Sequence, residues 1–462
     1  MRYLSTRGQA PPVDFEGVVL GGLAPDGGLY LPETWPRWDA AQLRAWRGRP
    51  YAEVATAVME PFVAPTLDHA ALRTLVDAAC ATFTHPEVAP VVPLRDGVWL
   101  LELFHGPTLA FKDVALQLLG RLFDVLLERR DDHGMVLGAT SGDTGSAAIA
   151  GCRGRHALDV VILHPHGRTS EVQRRQMTTV LDDNVHNLAV EGTFDDCQAI
   201  VKALLGDPAS AELRLVAVNS INWARVLAQI VYYVTAALTL GAPDRPVRFV
   251  VPTGNFGDVF AGWCARRMGL PIAQLVVATN ANDILARTLH TGAYTTRGVV
   301  PTLSPSMDIQ VSSNFERLLF EASGRDGAQV AAWMAALRRD GGFTLDDATL
   351  ASIREVFAAA RVDDAGTLEV MRRTHAETGM LVDPHTAVGL GAVEQLGPVE
   401  VPTVVLATAH PAKFPDAVAQ ATGVRPALPP ALADLLARTE RFDVLPADVD
   451  AVRAALWHHA RT

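Results

Sequence analysis

Short β-branched runs alternate along this chain with longer apolar stretches of helical spacing. MVLGA (Met135 to Ala139), DVVIL (Asp159 to Leu163), FVV (Phe249 to Val251), LVVAT (Leu275 to Thr279) and TVVLAT (Thr403 to Thr408) read as buried strands. Most of them run into a polar or glycine-containing loop and then an alanine-rich helical pattern. That alternation predicts an α/β fold, with parallel sheets covered by helices on both faces. In such sheets ligands sit beyond the carboxyl ends of the strands, so the loops after these runs are where chemistry is expected. The segment before about Val92 reads differently. It holds the turn-rich PDGGLYLP (Pro25 to Pro32), then the helical patterns AQLRAWRG and HAALRTLVDAACATF, and a boundary is expected where proline recurs in EVAPVVPL (Glu87 to Leu94). The longest apolar stretch, Val226 to Ala242, is broken by Gln229 and predicts a buried helix in place of a membrane span.

Composition narrows the function classes. A chain of 462 residues with 49% hydrophobic and 20% charged positions predicts two or three globular domains. A net charge of -11 with no basic stripe argues against a nucleic-acid partner, while a small anionic substrate could still occupy a locally positive pocket. Cys80, Cys152, Cys197 and Cys264 are far apart and form no C-x-x-C pair, which predicts reduced thiols without a disulfide framework or zinc site. His164 and His166 lack the partners of a metal site, so no metal is expected. MRYLSTRGQAPP has no apolar secretory core, and a cytoplasmic protein without a membrane partner is expected.

Three loops carry candidate chemistry. GATSGDTGSAA (Gly138 to Ala148) offers the hydroxyls of Thr140, Ser141 and Thr144 at the start of a helix, where free N–H groups can hold a carboxylate or phosphate. A plain turn capped by Ser141 or Asp143 would explain the same residues. PTGNFGD (Pro252 to Asp258) likewise places glycines between a strand end and a helix start, as an anion cradle or a tight turn. It matches neither G-x-x-x-x-G-K-[ST] nor G-x-G-x-x-G, so nucleotide readings lose their support. In HGPTLAFKD (His105 to Asp113), Lys112 sits inside an apolar tract. Such a lysine either snorkels to a carboxylate such as Asp113 or is a desolvated amine suited to Schiff-base formation with an aldehyde cofactor. An aldehyde cofactor with one phosphate, acting on an amino acid, needs one reactive lysine and two anion cups. All three are present.

HGPTLAFKD, ATSGDTGSAA, VNSINWAR, PTGNFGD and ATAHPAKF occur in the order seen in threonine synthases, and YLSTRG (Tyr3 to Gly8) and PDGGLYLP resemble the longer, bacterial and fungal branch of that family. The resemblance covers residue 3 to about 417. It implies a fold type II pyridoxal-phosphate enzyme with two open parallel-sheet domains plus an N-terminal segment. The implied division is 1–95 for the N-terminal domain, 96–130 with 236–462 for the larger cofactor domain, and 131–235 for the smaller domain. It implies that Lys112 carries pyridoxal 5'-phosphate and moves protons, that Gly254, Asn255, Phe256 and Gly257 surround the cofactor phosphate, and that Thr408 bonds the pyridine nitrogen. Asp143 would face the cofactor's 3-oxygen, where many relatives have Asn. Thr140, Ser141 and Thr144 would grip the substrate carboxylate, and Asn219, Ser220 and Arg225 the substrate phosphate.

Arg225 could equally be a helix-start arginine paired with a carboxylate. Arg168 and Ser170 in HPHGRTS are a weaker addition, and Trp223, Tyr232 and Tyr233 are expected in the core. The implied reaction converts O-phospho-L-homoserine and water to L-threonine and phosphate, in a monomer or weak homodimer. A phospho-lyase releasing a 2-oxo acid would need the same pockets. A dehydratase would have no use for a phosphate pocket, and a catalytically silent relative would not need Lys112, both cups and Thr408.

Overall fold

The computed structural model describes residues 1–460. The predicted strands form two separate sheets. The larger has the order Phe357–Arg361, Ile272–Thr279, Val247–Pro252, Thr403–Ala407, Val98–Glu102, Val91–Arg95, and only its last pair is antiparallel. The smaller sheet is wholly parallel, in the order Asp443–Pro446, Val185–Glu191, Leu158–Pro165, Gly134–Ala139, Leu215–Ala217. Central strands such as Val247–Pro252 and Leu158–Pro165 are buried at every position, as a parallel sheet covered on both faces requires.

The expected divisions shift in three places. Val91–Arg95 pairs with Val98–Glu102, so the larger sheet begins before residue 96. The border at 235 falls inside the helix Trp223–Thr239, which packs on the helices Gly257–Arg267 and Tyr51–Val63. Residues near the C-terminus do not stay with the larger domain. Asp443–Pro446 extends the smaller sheet beside Val185–Glu191, and Val452 and Leu456 of the helix Val449–His459 pack with Cys197, Ile200 and Leu204.

The N-terminal segment is clamped to the larger domain. Tyr3–Ser5 of YLSTRG pairs antiparallel with Tyr30–Pro32 of PDGGLYLP, and Arg7 and Thr6 both bind the Glu316 carboxylate, Arg7 Nε at 3.0 Å and Thr6 Oγ1 at 2.6 Å. The expected apolar helix forms as Trp223–Thr239, with Trp223, Tyr232 and Tyr233 fully buried. Among the described residues no helix is long and apolar enough to cross a membrane.

The helix Lys112–Glu128 joins the two sheet domains. It meets the helix Asp143–Cys152 glycine to glycine: a Cβ on Gly120 would lie 2.2 Å from the Gly151 carbonyl oxygen, and one on Gly151 equally close to Leu116 O. This close approach sets the distance between Lys112 and Asp143, which open the two helices. Gly120→Ala is therefore expected to destabilise the fold by about 1–3 kcal/mol through overpacking against backbone, measured by urea denaturation. A midpoint equal to that of the unsubstituted chain would show that the helices part without cost.

Candidate active site

Three adjacent strands deliver the site. Val247–Pro252, Thr403–Ala407 and Val98–Glu102 end side by side, and the loops beyond them carry PTGNFGD, Thr408 and HGPTLAFKD. The last two loops run antiparallel. Leu109 adopts φ 62°, Phe111 N donates to Thr408 O at 2.8 Å, and His410 N donates to Leu109 O at 3.0 Å. Lys112 follows as the first residue of its helix, 8% exposed.

Lys112 does not pair with Asp113. The Asp113 carboxylate accepts the backbone N–H and hydroxyl of Thr108 at 2.8 and 2.7 Å, and burial raises its carboxyl to about 6. The Lys112 Nζ instead lies 3.4 Å from both Asp143 Oδ2 and Ser306 Oγ. Burial holds this amine's pKa below the ordinary lysine value, Lys413 and Arg225 act in the same direction, and Asp143 opposes them.

Asp143 sits at the start of the helix Asp143–Cys152. Neither it nor Ser141 caps the helix: the N-cap is Gly142, and Thr140 Oγ1 accepts the N–H groups of Gly142 and Gly145, both at 2.9 Å. Thr140 thus shapes the loop from a buried position, while Ser141 is exposed and Thr144 partly so. A Cβ on Gly142 would lie 2.4 Å from the Gln173 amide carbon, so glycine admits Gln173, whose Nε2 donates to Asp143 Oδ1 at 2.8 Å. Lys413, fully buried, places its Nζ 2.8 Å from the same oxygen and 2.6 Å from Thr108 O. Burial alone would raise the Asp143 carboxyl, yet Lys413 and then Lys112 hold it well below the carboxylate range.

PTGNFGD forms a cradle at the start of the helix Gly257–Arg267. Its N-cap, Phe256, has φ 64° and makes no side-chain cap, so the first N–H groups of the helix remain open to an anion. The Phe256 ring is anchored in the core on Phe315 and Phe357. Gly254 has no room for a side chain, since a Cβ would lie 2.7 Å from Ser306 O. Asn314 Nδ2 donates to both Asn255 O and Ser220 O at 3.0 Å, and Arg317 binds Asn314 Oδ1, Ile221 O and Tyr30 O. One asparagine thereby fixes the NSIN turn against the cradle, and one buried arginine fixes both to the N-terminal segment. From the other side, Tyr232 and Tyr233 donate to Asp258 Oδ1 at 2.5 and 2.9 Å.

Arg225 is 4% exposed, forms no ion pair among the described residues, and leaves Nε and Nη1 without hydrogen-bond partners. Burial lowers its guanidinium to about 10. It is near enough to Lys112 for its charge to depress that amine. The carboxylate that would make it an ordinary helix-start pair is absent among the described residues. Asn219 is exposed, and Ser220 Oγ lies 3.3 Å from Ser313 Oγ at the rim of the cradle. Ser170 caps the helix Glu171–Thr178, and Arg168 is exposed.

Sequence reading missed Lys413, Gln173 and Ser306. Ser306 is held at Lys112 by a relay in which its N–H donates to His385 Nε2 at 3.2 Å and His385 Nδ1 lies 2.7 Å from Asp383. For Lys413 a signal was available. Of 40 lysine and arginine positions in the chain only Lys112, Lys202 and Lys413 are lysine, and one of these already carried a candidate role.

The donor set fits pyridoxal 5'-phosphate: a buried amine, an open N–H cradle, an unpartnered buried guanidinium, and a Thr408 side chain that is nearly buried. The comparisons with known proteins decide the family. Residues 2–80 match the threonine synthase N terminus, 83–408 the pyridoxal-phosphate dependent enzymes, and 386–456 the threonine synthase C-terminal region. The chain belongs to the threonine synthase family. It is 54% identical to the threonine synthase of Pseudomonas aeruginosa, covering 99% of this chain and 98% of that one. The solved structure of pyridoxal-phosphate-bound threonine synthase from Brucella melitensis superposes with a TM-score of 0.98 at 53% identity, covering both chains in full. That of yeast threonine synthase gives 0.95 at 41% identity over 99% of this chain and 98% of that one. The fold is thus that of the fold type II enzymes, the cofactor is pyridoxal phosphate, and the activity is that of a threonine-forming lyase.

Proposed function

We propose that the substrate is O-phospho-L-homoserine, converted with water to L-threonine and phosphate in the cytoplasm by a monomer or weak homodimer, and that Lys112 carries the cofactor. The observation that supports this most is Arg225, a buried cation with no ion-pair partner among the described residues. A phosphorylated substrate supplies that anion, whereas an unphosphorylated amino acid leaves the guanidinium desolvated and unpaired.

In this reading the Gly254–Gly257 cradle would hold the cofactor phosphate, Thr408 would bond its ring nitrogen, and the Asp143 carboxylate would face its ring oxygen across a shared proton. The bound cofactor supplies the electron sink that makes the substrate's α- and β-protons removable. Lys112, whose affinity for a proton burial lowers, accepts these protons and returns them. Ser141 and Thr144, with the N–H groups that open the helix Asp143–Cys152, grip the substrate carboxylate. Arg225, with Ser220 and Asn219 at the rim, takes the phosphate as it leaves.

The test is a product balance. Purified enzyme given O-phospho-L-homoserine is expected to form threonine and phosphate in equal amounts. A 2-oxo acid in place of threonine would replace this reading with the phospho-lyase.

A further inference from the structure

We infer that Lys413 is a positioning residue that takes up the charge of Asp143 and so keeps Lys112 free to react as an amine. The inference rests on the assignment of Lys112 made above.

Two cations here share one carboxylate, and the distances show which holds it. Asp143 Oδ1 is 2.8 Å from Lys413 Nζ, while Asp143 Oδ2 is 3.4 Å from Lys112 Nζ. Lys413 is fixed by a second bond, to Thr108 O at 2.6 Å, on the loop that leads into Lys112. Its short three-residue turn, Pro411–Lys413, is capped by His410, which accepts from Ala412 N. The pair is almost dry, with Lys413 unexposed and Asp143 at 5%.

A close Lys413–Asp143 pair is neutral as a unit, so Lys112 beside it gains little from binding a proton. Without Lys413, the nearest cation to Asp143 would be Lys112 itself. The carboxylate would then hold Lys112 as an ammonium, which can neither attack an aldehyde nor accept a proton. The other charged groups cannot take over. His410 spends Nδ1 on its turn and His385 is bound between Asp383 and Ser306 N, while the one other carboxylate of this loop, Asp113, is occupied by Thr108 and makes no bond to Lys112. Arg225 adds a positive charge toward Lys112 and makes no bond to Asp143.

Composition points the same way. The chain meets nearly all its needs for a cation with arginine, yet keeps lysine at 413. A compact ammonium can donate tetrahedrally to a carbonyl and a carboxylate in a space that a planar guanidinium would overfill.

The test reads Lys112 itself. The full-length chain, stripped of cofactor, is treated with cyanate, which carbamoylates neutral amines. Modification at each lysine is followed by peptide mass spectrometry over roughly pH 6 to 11. Exposed Lys202 is the internal reference. In Lys413→Met the midpoint for Lys112 is expected to rise by about one to two pH units, each unit slowing modification at neutral pH about tenfold. In Asp143→Asn it is expected to fall, because Lys112 then faces only cations, and in the double variant it is expected to lie between the two. Lys202 should not move. A disturbance of packing alone would shift both single variants in one direction, and that result, or an unmoved midpoint in Lys413→Met, overturns the inference. Should Lys413→Met not fold, the order of the unsubstituted chain, Asp143→Asn and the double variant decides, and equal midpoints overturn it. Failure of the unsubstituted chain to load pyridoxal phosphate at Lys112 would instead remove the reading on which the inference stands.

Discussion

Lys112→Ala is expected to fold, to lose covalent attachment of the cofactor, and to lose activity by at least about 10⁴-fold in kcat/KM. Folding should survive because the change relieves a cost. Alanine is favoured in a helix, Lys112 occupies the first helical position, and the substitution removes a nearly buried amine. The Gly254–Gly257 cradle and Arg225 are untouched, so the variant should still take up cofactor, though reversibly and without the visible band of the lysine adduct. Its activity should be lost because the amine has no substitute in reach: Lys413 is bound to Asp143 and Thr108, and Arg225 cannot give up its proton. Added methylamine is expected to restore roughly tenfold or more of the lost rate, since the cavity left is large enough for a small amine. A variant within tenfold of the unsubstituted enzyme would remove Lys112 from the mechanism.

The two glycine-containing loops were legible in the sequence as strand-to-helix turns because close approach of other residues leaves no room for a side chain at particular positions. Gly254 and Gly142 are glycine because Ser306 O and Gln173 occupy the space a Cβ would need. Lys112 stood out because apolar neighbours on both sides forced its burial. Residues that reach the site from elsewhere gave no such local signal. Ser306 lies in a single short turn, Pro305–Met307, within a loop otherwise without helix or strand, and the relay from Asp383 through His385 helps hold it at Lys112. Gln173 is an ordinary helical glutamine until Gly142 makes room for it. Lys413 shares ATAHPAKF with Thr408, and only the scarcity of lysine in the chain singles it out.

Strand assignments divide along the same line. Buried central strands announce themselves as β-branched runs, but Phe357–Arg361, FAAAR, carries no β-branched residue and is a strand only through its pairing with Leu275–Thr279. Asp443–Pro446 joins the smaller sheet and not the larger because sheet membership at an edge is settled by a partner some 250 residues away, Leu188–Glu191, which no local pattern encodes.

Arg225→Met separates function from stability more sharply than any other change at the site. Buried arginine without an anion is a standing cost to the folded enzyme, because desolvation of the guanidinium is uncompensated and Nε and Nη1 have no acceptor. Methionine fills a similar volume without charge, so the thermal midpoint of the ligand-free variant is expected to rise, by roughly 2–5 °C. Activity should move the other way. A phosphate held by a desolvated guanidinium is bound by charge-assisted bonds whose loss costs about 3–5 kcal/mol, a fall in kcat/KM on the order of 10³-fold. Inorganic phosphate gives a third readout: it should raise the thermal midpoint of the unsubstituted enzyme, to which it lends the missing anion, and leave that of the variant unchanged. An arginine kept only to cap a helix or fill the core would give the reverse pattern, a less stable variant with a normal KM. The cost of an unpaired buried charge is reasonable only where a ligand arrives carrying its partner, and for that reason Arg225, more than any backbone cradle, supports the proposal of a phosphorylated substrate.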